Sequence, residues 1–274
     1  MVVRPRNPGR LWLLAAVYAV LTFLLLPTAI ILPISFGEQR YLQFPPTGFT
    51  LAWYREFLLE PRWQQATLLS LKVAALVTVT ATMLGTLAAL ALVRGRPQCR
   101  ALLNVLVLSP LIVPNIVVAI ALFFFLARIG LTGTITGFVL AHTILALPFV
   151  ILTVSASLHQ LDSDLELAAL GLGASRFQTF HHVTLPLIMP GLISGAVFAF
   201  ITSFDEPVIS FFISTAGQTT LPRRMFEDID QNITPVLAAA AVVVTSVSII
   251  GLALIGISRR RAQDPTGNQA KEIM

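Results

Sequence analysis

The chain has 274 residues, of which 56% are hydrophobic and only 11% charged, and its mean hydropathy is +0.84. Soluble domains carry about a quarter charged residues, so this composition excludes an ordinary soluble enzyme and defines an integral membrane protein without room for a separate catalytic domain. The net charge of +5 gathers at the ends of apolar stretches, which marks it as topology information rather than nucleic-acid affinity.

Six apolar stretches, at 11–34, 68–93, 101–127, 135–157, 187–213 and 235–258, are long enough to cross a hydrocarbon layer of about 30 Å. The first follows Arg4, Arg6 and Arg10, as in a signal peptide, but it is too long for a signal core and lacks a small-x-small cleavage site; it is expected to remain as an uncleaved span. The loop 36–66 carries Phe44-Pro45-Pro46 and Trp53-Tyr54, whose aromatics suit an interfacial helix on the outer surface. The second span holds Lys72 near its start. The third contains Ser109-Pro-Leu-Ile-Val-Pro114-Asn115, and the fourth contains His142, which reads first as a packed polar residue and second as a lining residue of a path. Proline and glycine interrupt several spans, which membrane helices tolerate when neighbouring helices satisfy the freed backbone groups.

Between the fourth and fifth spans lies the longest charge- and glycine-bearing interruption, 162–191. Ser163 with Glu166 fits a capping box, and Leu165, Ala168, Ala169 and Leu172 fall at i, i+3, i+4 and i+7, one face of a short helix. Gly171 and Gly173 end that helix, a second short helix follows, and Pro186 and Pro190 are expected to prevent a smooth run into the fifth span. A structured amphipathic elbow between spans suits a soluble partner. In the fifth span, Asp205 and Glu206 are consecutive acids before Pro207, and Asp205 stands about 22 Å along the helix from Pro190. Acids in hydrocarbon are costly, so they are expected to face a wet or polar interior. Helical neighbours point about 100° apart; Asp205 is taken as facing a path and Glu206 as a partner to another helix. The loop 215–234 and the sixth span complete the chain.

With the N terminus placed in the cytoplasm, the inside segments hold eleven basic residues: Arg4, Arg6, Arg10, Arg94, Arg96, Arg100, Arg176, Arg259, Arg260, Arg261 and Lys271. The outside segments hold six: Arg40, Arg55, Arg62, Arg128, Arg223 and Arg224. The elbow then lies inside, as do both termini and the one cysteine, Cys99, which has no disulfide partner; no Cys/His spacing suits a metal.

The elbow resembles the cytoplasmic coupling loop of ABC-importer permeases, whose pattern is Glu-Ala-Ala, three residues, Gly, and then Ile-x-Leu-Pro. Ala168, Ala169, Gly173, Leu185 and Pro186 match it. Leu167 occupies the Glu position with Glu166 beside it, and Val183 occupies the Ile position. Ala141-His142, Pro148-Phe149-Val150, Ser203-Phe-Asp-Glu206, Thr220-Leu-Pro-Arg223 and Met225-Phe226 are similar to the polyamine branch of that family, with Asn115 standing where many relatives carry an acid.

The resemblance implies an all-α membrane permease of about six spans, with a cytoplasmic segment at 1–10, a membrane domain at 11–258 with the elbow at 162–186, and a cytoplasmic tail at 259–274. It implies a bacterial inner-membrane importer of a small cationic metabolite such as spermidine or putrescine. Its partners would be a second homologous permease, a pair of ATP-binding subunits and an extracytoplasmic binding protein. Glu166, Leu167, Ala168, Ala169, Gly173, Arg176 and Pro186 would form the ATPase-coupling surface, and Asp205, Glu206, Asn115 and His142 the candidate path residues. No G-x-x-x-x-G-K-[ST] loop occurs, so the chain is expected to hydrolyse nothing and bind no cofactor, with ATP and Mg on the partner ATPase. The alternatives are an ABC permease for another small polar solute, an ion-gradient-driven transporter using Asp205, Glu206 and His142, or a membrane scaffold. Co-purification with an ATPase subunit separates the importer from the last two.

Overall fold

The computed structural model describes the backbone of residues 8–95, 97–215, 217–231 and 233–263, and the side chains of 12–95, 104–215, 217–230 and 233–256. Arg4, Arg6, Arg96 and Lys271, and the side chains of Arg10, Cys99, Arg100 and Arg259 to Arg261, on which part of the expected orientation rests, lie outside the described residues. The named elements are helices: α1 (Pro8–Ile34), α2 (Ala52–Leu59), α3 (Pro61–Arg94), α4 (Pro97–Ile112), α5 (Asn115–Arg128), α6 (Ile135–Gln160), α7 (Ser163–Gly171), α8 (Arg176–Thr179), a π-helical turn (Phe180–Thr184), α9 (Leu185–Phe204), α10 (Val208–Ile213), α11 (Leu221–Gln231) and α12 (Pro235–Gln263).

Among the described residues, five helical stretches are long and apolar enough to cross a membrane, and a bent pair makes a sixth if it counts as one span. The third expected span is that pair: α4 and α5 meet at an angle of 109°. Pro114 supplies the reason, because its ring biases Val113 away from helical dihedrals and it donates no N–H; it sits at the N-cap of α5 with ψ 131°. The fifth expected span begins earlier and ends earlier than read. It ends at Phe204, and the chain resumes as the short α10 after Asp205-Glu206-Pro207. The prolines at its other end do not break it. Arg176–Phe204 forms one apolar stretch in which Pro186 and Pro190 are helical. The π turn just before them absorbs the missing donor, with Leu185 N–H reaching back to Phe180 O.

The chain divides into two units, residues 1–60 with 227–245 and residues 61–226 with 246–274. In the first, no residue of the apolar window of α1 is buried, as suits a helix facing lipid or another subunit. The expected interfacial helix is α2, and its aromatics tie it to the end of α1. Trp53 Nε1 donates to Gly37 O at 2.7 Å, Tyr54 OH and Ser35 Oγ lie 2.7 Å apart, and Phe36 stacks on Phe49.

In the second unit, α3, α6 and α9 form the core. Val73, Val77 and Ala81 of α3, Phe138, Ala141, Ala146, Val150 and Val154 of α6, and Ile188 and Ala199 of α9 are fully or almost fully buried. Helices in lipid gain no hydrophobic drive from one another, so close packing on small residues carries their association. A Cβ at Gly85 would lie 2.6 Å from Val150 Cγ1, and one at Gly195 would lie 2.8 Å from Thr153 Oγ1 and 3.2 Å from Val150 Cα. Val150 is therefore held between a glycine of α3 and a glycine of α9.

Candidate functional site

The elbow begins with Asp162, whose carboxylate accepts from Asp164 N–H at 3.0 Å and caps α7. The expected Ser163–Glu166 capping box does not form, because the Glu166 carboxylate is turned the other way. It receives the Arg94 guanidinium from the end of α3 and the Thr184 hydroxyl from the root of α9. The capping box of the elbow is the next one along: Ser175 Oγ accepts from Gln178 N–H at 3.3 Å, and Gln178 Oε1 accepts from Ser175 N–H at 2.8 Å. Between the two short helices Gly173 takes φ +91°. Gly173 N–H bonds to Leu170 O and Ala174 N–H to Ala169 O, which closes the C-terminus of α7 with a left-handed residue.

No residue of α7 is buried. Leu165, Leu167, Leu170, Leu172 and Phe177 are all exposed, Leu172 to 90%. Ala168, Arg176 and Pro186 are exposed as well, and Ala169 is half-buried. Apolar side chains thus lie on both sides of α7 rather than on the one expected face, and no described residue fully buries them. Leu167 stands outward where the family pattern has an acid, and Glu166 beside it points inward.

At the far end of α9 the polar residues split. His142, in α6, is buried with both ring nitrogens near partners: Nδ1 lies 3.0 Å from Ser203 Oγ and Nε2 lies 3.4 Å from Ser210 Oγ. It ties α6 to the residues flanking the break between α9 and α10. Asp205 closes α9 and is exposed, whereas Glu206 is buried. Glu206 Oε1 accepts from Val208 N–H at 2.8 Å and Ile209 N–H at 2.9 Å, so its carboxylate holds the N-terminus of α10. Asn115 is exposed at the start of α5 and makes no hydrogen bond to these groups among the described residues.

Glu206→Ala is expected to lower stability by about 1–3 kcal/mol, because two backbone donors lose a buried acceptor. Glu206→Gln keeps an acceptor oxygen and is expected to cost less. Thermal unfolding of the purified protein in detergent measures both; identical melting of all three forms would remove the capping role.

A cavity of about 750 Å³ opens beside the elbow, between α6, α7 and α9. Thr153, Ser157 and Gln160 of α6, Ser194 of α9 and Asp162 supply its polar lining. None of these was among the expected path residues. The signal that could have found them is the 153, 157, 160 spacing, a polar stripe on one face of an otherwise apolar helix. Nor did the sequence indicate Arg94 and Thr184 as partners of Glu166, since they lie 72 and 18 residues away. Among the described residues, no group of three or more His, Cys, Asp or Glu could hold a metal.

A helical membrane bundle with an uncovered apolar elbow between two core spans is the build of a transport permease. The chain belongs to the family of binding-protein-dependent transport system inner membrane components, which matches residues 81–264. It is 32% identical over 255 residues to the putrescine transport system permease protein PotI of Escherichia coli (strain K12), covering 90% of this chain and 89% of that one. It is 30% identical over 269 residues to the spermidine/putrescine transport system permease protein PotC of the same strain, covering 97% and 99%. A solved bacterial ABC transporter involved in the import of the acidic polysaccharide alginate has the same fold, with TM-score 0.67, 16% identity, and coverage of 95% of this chain and 99% of that one.

Proposed function

We propose that this chain is the permease subunit of an ATP-driven importer that carries a small cationic metabolite, a polyamine such as putrescine or spermidine, across a bacterial inner membrane. The observation that carries the reading is the elbow: an exposed helix bearing apolar side chains, followed by a glycine turn and anchored to the ends of two core helices. The substrate class is supported by the two polyamine relatives, which align with nearly the whole chain. In this reading 11–258 is the membrane domain, 162–186 the coupling elbow, and 1–10 and 259–274 are cytoplasmic ends, as the eleven-to-six distribution of basic residues supports.

A second, homologous permease completes the path, an extracytoplasmic binding protein delivers the solute, and a pair of ATPase subunits with ATP and Mg drives the cycle. Leu167, Ala168, Ala169, Gly173, Arg176 and Pro186 form the face that the ATPase grips. Closure of the ATPases on ATP moves the elbows, and each elbow moves the core helices it is tied to. Hydrolysis takes place on the partner; this chain supplies geometry.

Asp205 is the exposed carboxylate of the pair, free of the capping duty that holds Glu206, and serves as an acceptor for a cationic solute on its path. A cation leaving water needs such compensation. Co-expression with its ATPase, partner permease and binding protein, followed by uptake of radiolabelled putrescine and spermidine into vesicles, tests the reading. Asp205→Asn is expected to lower uptake several-fold with assembly intact. Uptake of neither amine by the wild-type complex would overturn the substrate class, and unchanged uptake by Asp205→Asn would remove that carboxylate from the path.

A further inference from the structure

The geometry points to Glu166 as a positioning residue of the coupling step: its carboxylate, held by Arg94 and Thr184, is the link that passes motion of the elbow into α3 and α9. The inference rests on the importer reading above and concerns how the elbow is joined to the bundle, not how it meets the ATPase.

Three observations carry it. First, α7 has no fully buried residue, so apolar packing among the described residues holds it only weakly. Second, among the described residues the side-chain bonds that tie α7 to other helices are those of Glu166. The capping bond of Asp162 is local to the start of α7, and the backbone bonds after Gly171 are local to its end. Third, one carboxylate oxygen takes both partners, and these stand at the ends of two different core helices. Arg94 is the last residue of α3. Thr184 is the last residue of the π turn, immediately before α9, and is 1% exposed.

The Glu166 side chain is only 17% exposed, so it is shielded where a docking acid would face outward. Leu167, one residue on, is the outward one. The two adjacent positions thus divide the labour. Leu167 offers an apolar contact to the partner, and Glu166 converts a displacement of α7 into a pull on α3 and α9. These two helices pack on α6, and α6 and α9 line the cavity beside the elbow, so a pull there changes the shape of the inner mouth.

Ion pairs that are partly exposed contribute little to stability, so the pair is better explained by where it holds α7 than by what it adds to folding. The test uses the full importer complex in proteoliposomes, with putrescine uptake and ATP hydrolysis measured together and expressed as solute moved per ATP. Glu166→Gln and Arg94→Gln are each expected to lower that ratio about three- to tenfold. The reversals Glu166→Arg and Arg94→Glu are expected to lower it further, and the double reversal to restore at least half of the wild-type ratio. A residue that only stabilises the fold would change the amount of complex recovered and leave the ratio alone. Wild-type ratios in both neutral variants, or no restoration by the double reversal, would overturn the link. A wild-type complex that hydrolyses ATP without moving putrescine or spermidine would instead overturn the substrate reading, and the same series read on binding-protein-stimulated ATP hydrolysis then decides the link: stimulation lost in the single reversals and regained in the double supports it, and stimulation indifferent to all four variants overturns it.

Discussion

Gly173→Val is expected to reduce ATP-driven uptake by roughly 5- to 150-fold while the chain still inserts in the membrane, because a side chain in a left-handed position costs about 1–3 kcal/mol and each 1.4 kcal/mol is a factor of ten. At φ +91° a glycine is at ease, and a β-branched residue is not. The cost is one of conformation alone, since a Cβ there meets no atom of this chain within 4 Å. Relief of the strain would open the bonds from Gly173 N–H to Leu170 O and from Ala174 N–H to Ala169 O, and α8 would then leave α7 in a different direction. The same Cβ points into the space the ATPase is proposed to fill. Gly173→Asn tolerates the left-handed region better and is expected to retain most of the uptake. Vesicle uptake with co-purification of the ATPase measures both variants, and normal transport by Gly173→Val would take this turn out of the mechanism.

Gly195→Leu is expected to cost at least about 1–3 kcal/mol of stability, the usual penalty for overpacking, and to cut the yield of monodisperse protein sharply. The added side chain would start 3.2 Å from Val150 Cα, a backbone atom that cannot rotate away, and 2.8 Å from Thr153 Oγ1. Val150 cannot retreat toward α3, because Gly85 on that side already has only 2.6 Å between its Cβ position and Val150 Cγ1. Separation of α9 from α6 is the remaining response, and in lipid it forfeits the van der Waals contacts that hold the helices together. Gly256→Leu is the control, since a Cβ there meets nothing within 4 Å. Size-exclusion profiles and thermal unfolding in detergent compare the two; a Gly195→Leu protein that melts with the wild type would mean that the three-helix contact is not the main source of rigidity.

The contrast between these two glycines marks the boundary between local and tertiary information. Gly173 was legible from the chain, because a glycine just past a short helix is a stop signal that depends only on its neighbours. Gly85 and Gly195 were not, because their role lies in the distance to Val150 on a different helix. The two differences in span shape have the same origin. Hydropathy counts apolar residues and is blind to direction, so 101–127 read as one crossing although Pro114 turns it by 109°, and 187–213 read as one crossing although Glu206 and Pro207 end a helix and start another. Pro186 and Pro190 erred the other way, as a π turn upstream let the helix pass through them.

Composition by itself determined that this is a membrane protein, since 11% charged residues leave no solvated surface for a soluble fold of this size. The order of apolar stretches and the glycine- and charge-bearing interruption at 162–191 determined that it is helical and that its elbow lies between two core spans. Only the tertiary structure decided which way each polar side chain turns. Ser163–Glu166 spacing suited a local cap, yet Arg94, 72 residues earlier, draws the carboxylate of Glu166 inward. Asp205 and Glu206 are adjacent and chemically alike, yet one is exposed and the other is consumed by the N–H groups of Val208 and Ile209. A short-range pattern records which partners a residue has nearby in sequence, and an ionised or hydrogen-bonding group goes to the strongest partner in space.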